Sequence, residues 1–244
     1  MSRIKTSRIK EPRVSRQAPA AADRFPRTFF QRDPVTLAKA LLGQKLVRVV
    51  NGECLSGLIV ETEAYLGAID AAAHTFNGRR TARNASMWLG GGTAYVYFTY
   101  GMHYCLNVVA GKAEQPVAVL LRALQPTEGL QRMFANRPAA RRERDLCSGP
   151  GKLCQALAID RRLDGADLIT GDHGLFLQRQ RRRGYRAVDV EVTRRVGVSY
   201  AGQWAGKPLR FYLKGNPYVS RPWIEKIAAP LAQTCGLGNR PPSA

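Results

Sequence analysis

The sequence predicts a single mixed α+β domain. Three observations carry that expectation. Of its 244 residues, 45% are apolar, which is enough for one sizeable core and ordinary for a folded chain. Apolar strand-like segments alternate with helical ones, but without the regular rhythm of βαβ units. No internal repeat interrupts the pattern. The expected layout is a basic disordered arm over 1–25, a folded domain over 26–226 and a C-terminal tail over 227–244.

The arm is basic, poor in aromatics and aperiodic, the composition of a segment that buries too little to fold. It either adds nonspecific phosphate affinity or serves as a solubilising tail. The first helix follows Asp33-Pro34, an N-cap with proline at the first helical position. Val35, Leu37, Ala38, Leu41 and Leu42 form its apolar face, and Gly43 ends it. Next come strands over 45–50 and 55–63, flanking Asn51-Gly52, the dipeptide suited to a type I′ turn.

Residues 66–93 read as a long basic loop, and long ordered loops in compact domains are usually functional. Gly90-Gly91-Gly92 lacks the GK[ST] of a phosphate-binding loop, so a nucleotide site of that kind is rejected. An aromatic strand pair over 94–107 reverses at Tyr100-Gly101-Met102. A strand over 117–124, a helix over 127–136 and a helix over 153–159 follow. Arg179, Arg181, Arg182, Arg183 and Arg186 read as a basic, mobile turn with no assigned role. Segments 195–198 and 209–213 look like the last strands or their approaches.

Charge narrows the function. A formal net charge of +20 predicts a polyanionic partner, because each Lys or Arg meeting a phosphate releases a condensed counterion. Nucleic acid is the first candidate and an anionic membrane surface the second. No apolar run reaches the roughly 18–20 residues of a bilayer span, and none follows the basic start as a signal peptide requires. The expectation is a soluble intracellular protein. Cysteines at 54, 105, 147, 154 and 235 form no Cys-x-x-Cys pair and only three histidines accompany them; they read as reduced core thiols, with no metal site.

The stretch 57–107 carries the candidate chemistry. Strand alternation places Ile59, Glu61, Glu63 and Tyr65 on one face, which sets carboxylates beside a flat ring and suits attack on a bond attached to an aromatic base. The plainer alternatives are a surface glutamate or arginine partner for Glu63, core packing for Tyr65, Tyr95, Tyr97 and Tyr104, and a solvated side chain for His74. Tyr100 is different. At a hairpin reversal a large ring is hard to bury in the protein's own core, and an exposed aromatic there suits a wedge entering a base step from the minor groove. Cys147-Ser148-Gly149-Pro150-Gly151-Lys152 is either an anion site at a helix start or an ordinary loop-to-helix junction.

Ten motifs recur in one order: Leu42-Gly43-Gln44, Glu61-Thr62-Glu63-Ala64-Tyr65-Leu66-Gly67, Ala72-Ala73-His74, Arg83-Asn84, Tyr95-Val96-Tyr97, Tyr100-Gly101-Met102, Leu120-Leu121-Arg122-Ala123-Leu124, Leu146-Cys147-Ser148-Gly149-Pro150, Lys152-Leu153-Cys154-Gln155-Ala156-Leu157 and Arg195-Val196-Gly197-Val198. Together, over about 28–220, they resemble the alkyladenine (3-methyladenine) DNA glycosylase family of mammalian type. The resemblance implies a fold like the C-terminal domain of formyltransferases, with a curved antiparallel sheet and a protruding β-hairpin. It implies Glu63 as general base for a water attacking the deoxyribose C1′, with Arg122 and the Val196 carbonyl holding that water. Tyr65 on one side, and His74 and Tyr97 on the other, would sandwich a flipped purine, the His74 amide would bond its edge, and Asn107 would penalise guanine. Tyr100, with Met102 and His103 beside it, would fill the gap in the duplex. Arg79, Thr81, Met87, Lys152 and Gly197 resemble phosphate contacts.

The family likeness further implies a monofunctional glycosylase acting as a monomer on duplex DNA, without metal or nucleotide cofactor. Its substrates would be alkylated or deaminated purines: 3-methyladenine, 7-methylguanine, hypoxanthine and ethenoadenine. It would work with the DNA, in a nucleoid or a nucleus. No Lys stands at the attacking position, so simple hydrolysis without strand cleavage is expected. Two departures stand out: His103 replaces an aromatic of the mammalian hairpin, and two extra residues lie between Asn107 and Arg122, around 111–116. The rival expectations are a DNA-bending protein without turnover and an RNA-acting enzyme on the same fold.

Overall fold

The computed structural model describes residues 23–220; most of the expected N-terminal arm, the C-terminal tail from 227 and Cys235 lie outside the described residues. The chain opens with α1 (Arg27–Phe30) and α2 (Pro34–Leu41). Asp33 caps α2, its Oδ1 accepting from the Thr36 N–H at 2.9 Å, with Pro34 at the first helical position. Gly43, at φ +76°, turns the chain out of α2 in a conformation that glycine adopts without a Cβ penalty.

Strand β1 (Lys45–Val50) and β2 (Glu53–Tyr65) then form a hairpin. Asn51 and Gly52 both have positive φ, 51° and 77°, as a type I′ turn requires. The aromatic pair is β3 (Ala94–Thr99) and β4 (His103–Ala110), joined in antiparallel register with Tyr97 opposite Cys105. Strands β5 (Val117–Glu128), β6 (Leu175–Gln178), β7 (Val190–Thr193) and β8 (Arg210–Leu213) complete one eight-stranded sheet. Its main path runs β3-β4-β5-β2-β1-β6, with β8 joining β2 and β7 joining β8.

The thirteen-residue β2 is the axis of this sheet. One of its edges pairs with β5 along most of its length; the other pairs first with β1 and then, over Glu61–Glu63, with β8. Register shifts between Ile59 and Thr62 mark the changeover, and such irregularities bend and twist a strand. The result is a mixed α/β domain with a curled antiparallel sheet. Its concave interior is packed by Phe30, Leu37, Leu41, Ile59, Leu106 and Leu121, all fully buried. Helices α3 (Leu130–Asn136), α4 (Glu143–Leu146) and α5 (Pro150–Ala156) close one end.

Several boundaries move relative to the sequence expectation. The strand expected to stop at 124 continues to Glu128, because its last residues pair with the start of β2, Glu128 opposite Ser56. The helix expected from 127 therefore begins at Leu130, after Gly129 reverses the chain at φ +75°. The helix expected over 153–159 is α5, three residues earlier, because Pro150 takes the first helical position. Strand β6 and strand β7 were not anticipated, and 195–198 is a loop following β7. Among the described residues, no helix is long and apolar enough to cross a membrane.

Candidate active site

Where β2 lies between β5 and β8, two glutamates meet one arginine. Glu61, Glu63 and Tyr65 extend from β2 to the same side, and Arg122 reaches them from the adjacent β5. Arg122 Nε donates to Glu61 Oε1 at 3.0 Å, and its Nη1 lies 3.3 Å from Glu63 Oε1. Both carboxylates are fully buried, so neither is a solvated surface charge, while both are arginine partners, the other plainer alternative. A buried carboxylate needs donors for its oxygens. Those of Glu63 are the Val196 N–H, at 2.8 Å from Oε1, and the Tyr65 hydroxyl, which donates to Oε2 at 2.9 Å, while Arg122 adds an ion pair. Glu61 is held separately by Arg210 Nε at 2.7 Å and by the N–H and hydroxyl of Ser220.

These charges sustain one another. Burial alone depresses a guanidinium's affinity for its proton; at Arg122 the nearby Glu63 and Glu61 outweigh burial and raise it, so the side chain stays cationic. Burial, then the charge of Glu63, holds the Tyr65 hydroxyl well above the usual phenol range. It therefore remains a donor to Glu63 at any physiological pH.

A cavity of about 360 Å³ opens on the other side of these partners. Tyr65, Arg122 and Val196, the three partners of Glu63, all line it, so the carboxylate sits directly behind the wall. The volume lies at the small end of ligand pockets, the size for one flat heterocycle. Its opposite wall is aromatic. His74 meets the Tyr97 ring edge-on at 4.5 Å between centroids, and Tyr95 stacks with Tyr97 at 5.3 Å. His74 Nδ1 is 2.7 Å from the Tyr95 hydroxyl. Partial burial, then the cations Arg83 and Arg79, lower the imidazole's proton affinity, which keeps it neutral at pH 7. Asn107 is buried at the cavity floor, its Nδ2 donating to the Tyr95 carbonyl at 3.2 Å.

The loop carrying His74 is anchored from below. Asp70 and Arg195 form a fully buried bidentate pair, at 2.5 and 2.9 Å. Asp70 also accepts from the N–H groups of Leu66 and Ala72. Arg195 bonds the Ala64 carbonyl and places its guanidinium carbon 4.6 Å from the centre of the Tyr65 ring. One ion pair thus ties the His74 loop, the Tyr65 ring and the backbone next to Val196 together. Asn84 adds a second tie, donating to the His74 carbonyl and accepting from the Thr81 N–H.

The mouth is exposed and basic. Tyr100 is 81% exposed and Met102 68%, at the reversal between β3 and β4. Tyr100 sits at φ +51° and Gly101 at +67°, a primed turn that costs a non-glycine residue about 1–2 kcal/mol. Strain of that kind recurs at functional positions. His103 lies against Gly151 at the start of α5, where an added Cβ would meet the imidazole at 3.0 Å. Arg79, Thr81, Lys152 and Gly197 are exposed around this rim. Met87 differs from them: its side chain is buried against Tyr95, and its N–H already donates to the Asn84 carbonyl.

Sequence reasoning missed four contributors: Asp70, Arg210, Tyr200 and the positioning contacts of Glu61. Tyr200, 70% exposed, lines the cavity and its hydroxyl bonds the Ala72 carbonyl at 3.4 Å. None stands in a pattern whose spacing announces a partner more than a hundred residues away. The signal that was present, Asp70 as a lone charge among small apolar residues, points to burial without naming its partner.

Comparison with known proteins agrees with the motifs. A family model described as methylpurine-DNA glycosylase matches residues 28–217. The DNA-3-methyladenine glycosylase of Homo sapiens is 48% identical over 201 residues, 79% of this chain and 66% of that protein; that of Mus musculus is 46% identical over 214 residues, 84% of this chain and 63% of that protein. The putative 3-methyladenine DNA glycosylase of Carboxydothermus hydrogenoformans is 48% identical over 81% of this chain and 98% of that protein. The chain thus spans just under two thirds of the length of the two mammalian relatives and nearly all of the bacterial one. On this match, which covers almost the whole described domain, the chain belongs to the methylpurine-DNA glycosylase family.

Proposed function

We propose that this protein is a monofunctional DNA glycosylase that hydrolyses the N-glycosidic bond of a damaged purine swung out of duplex DNA. The observation that carries the proposal is the buried Glu63 carboxylate, whose two donors and arginine partner form one wall of a ring-lined cavity of about 360 Å³. Chemistry on a base demands its extrusion, at a cost of a few kcal/mol that a lesion lowers. The purine lies between Tyr65 on one side and His74 and Tyr97 on the other. Glu63 takes a proton from a water as its oxygen bonds C1′; the C1′–N bond breaks and its electron pair leaves with the base. Arg122 and the Val196 carbonyl orient that water.

Alkylated purines such as 3-methyladenine and 7-methylguanine arrive cationic, so the departing pair neutralises them and they stack well on electron-rich rings. Hypoxanthine and ethenoadenine, which are neutral, use the same slot, with the His74 N–H on their edge and Asn107 selecting against the amino group of guanine. Tyr100, flanked by Met102 and His103, fills the vacated step, while Arg79, Thr81, Lys152 and Gly197 meet the backbone. The protein acts as a monomer, wherever the cell keeps its DNA.

The test is release of free base from a duplex bearing one hypoxanthine or one 1,N6-ethenoadenine. For Glu63→Gln we expect release to fall by about 100-fold or more, the scale of general-base catalysis, with duplex binding retained. Equal release by both proteins removes Glu63 as the base. Binding without release by the wild type would make this a DNA-binding protein instead.

A further inference from the structure

The arginine-rich turn after β6 has no part in the site described above. It is nonetheless built. Gln44 is a buried polar side chain spent on this turn: its Oε1 accepts from the N–H groups of Gln180 and Arg181, at 2.9 and 3.3 Å, and its Nε2 donates to the Arg181 carbonyl at 3.2 Å. Tyr185 lies over Gly43 so closely that a Cβ there would stand 2.7 Å from its ring. The Arg181 guanidinium stacks on Tyr185 at 3.8 Å. The backbone of the turn is therefore clamped to the junction between α2 and β1.

What the clamp presents is positive charge. Five arginines fall in 179–186, and the next acid is Asp189. Arg186 is paired with Asp189, and Arg179 lies over the Phe25 ring at 5.2 Å. Arg182 and Arg183 are exposed, and neither side chain has a carboxylate partner among the described residues. Beside them lies an open groove of about 620 Å³ that includes Arg181, Tyr185, Lys214 and Asn216, together with Asp189, whose carboxylate is taken up by Arg186. It shares no residue with the cavity behind which Glu63 sits. The turn leaves β6, five strands along the sheet from the β3–β4 hairpin, a path of up to about 24 Å at ordinary strand spacing.

We propose that this turn and groove form a second phosphate-binding surface, one that holds nucleic-acid backbone apart from the duplex engaged at Tyr100. Guanidinium groups on a fixed backbone suit phosphate oxygens, which they bind as a planar fork. The half-buried Tyr185 lines the same groove and adds a hydroxyl suited to phosphate or sugar. The proposal rests on the protein being a DNA-acting enzyme and deepens it. A protein with two such surfaces holds one stretch of backbone while it inspects another.

The double variant Arg182→Ala/Arg183→Ala tests it, since both side chains are exposed and outside the catalytic site. Binding to undamaged duplex is measured against salt for wild type and variant. The slope of log K on log salt should fall by about 1.8 for two lost contacts, at about 0.9 for each phosphate neutralised. Two arms separate the sources of the phosphate. If the slope falls only on long duplexes, the turn holds a distal part of the same molecule. If wild type brings two differently labelled short duplexes into energy-transfer range and the variant does not, it holds a second one. An unchanged slope on all duplexes overturns the proposal, as does binding of anionic vesicles through these arginines with DNA binding unaltered. Base release from a short lesion duplex, run beside these, should be equal for wild type and variant. Its absence in both would count against the glycosylase assignment and leave the salt slopes to judge the turn.

Discussion

Glu63 illustrates how much a single carboxylate depends on its donors. Burying an ion without partners is costly enough that the group would surrender its charge instead. Here the Val196 N–H, Arg122 and the Tyr65 hydroxyl supply those partners, and all three also face the cavity. The Tyr65 ring and its hydroxyl do separate jobs, so they can be separated experimentally. Tyr65→Phe keeps the stacking surface and removes one donor to a charged oxygen, a contact worth about 1.5–3 kcal/mol. Base release should therefore slow by about 10- to 100-fold while lesion-duplex affinity changes little. Single-turnover release and binding, measured on the same duplex, check this; a matching loss of affinity would show that the ring, not the hydroxyl, had been disturbed.

At the level of elements, local chemistry was legible in the sequence and long-range pairing was not. Asp33-Pro34 and Asn51-Gly52 each act within four residues, and the structure places a cap and a primed turn at those positions. Glu61, Glu63 and Tyr65 could be put on one strand face because strand geometry fixes alternation. Nothing local reveals that β2 changes partner from β1 to β8 at Glu61, or that Ser220 and Arg210 close on that carboxylate. The extension of β5 to Glu128 has the same origin, since its last residues are strand only because Ser56 lies opposite.

Two elements invite direct tests. Asp70 and Arg195 pin the His74 loop to the residue preceding Val196. Asp70→Ala leaves a buried guanidinium uncompensated, so unfolding should cost about 3–5 kcal/mol less; denaturant titration measures it, and a change near zero would mean the loop stands without the pair. The β3–β4 turn holds Tyr100 exposed in a strained conformation. Tyr100→Ala should weaken binding to a lesion duplex without lowering thermal stability. Unchanged affinity and excision would sink the wedge assignment.

The whole molecule combines one small buried charge cluster with a large exposed excess of cations, +20 over the full sequence. On the proposed function, the first serves chemistry at one atom of the substrate and the second serves a polymer of phosphates. The curled sheet joins them: β2, β3, β4 and β5 all contribute to the cavity wall, and the turn between β3 and β4 holds Tyr100 out at its mouth. On that proposal the base must come to the carboxylate, because Glu63 is fully buried. The most direct measurement is the structure of Glu63→Gln bound to a duplex with one hypoxanthine. We predict the purine between Tyr65 and the His74–Tyr97 wall, its C1′ facing residue 63, with Tyr100 in the gap it left. A hypoxanthine still stacked in the duplex, or lodged where residue 63 is out of reach of C1′, would contradict the account.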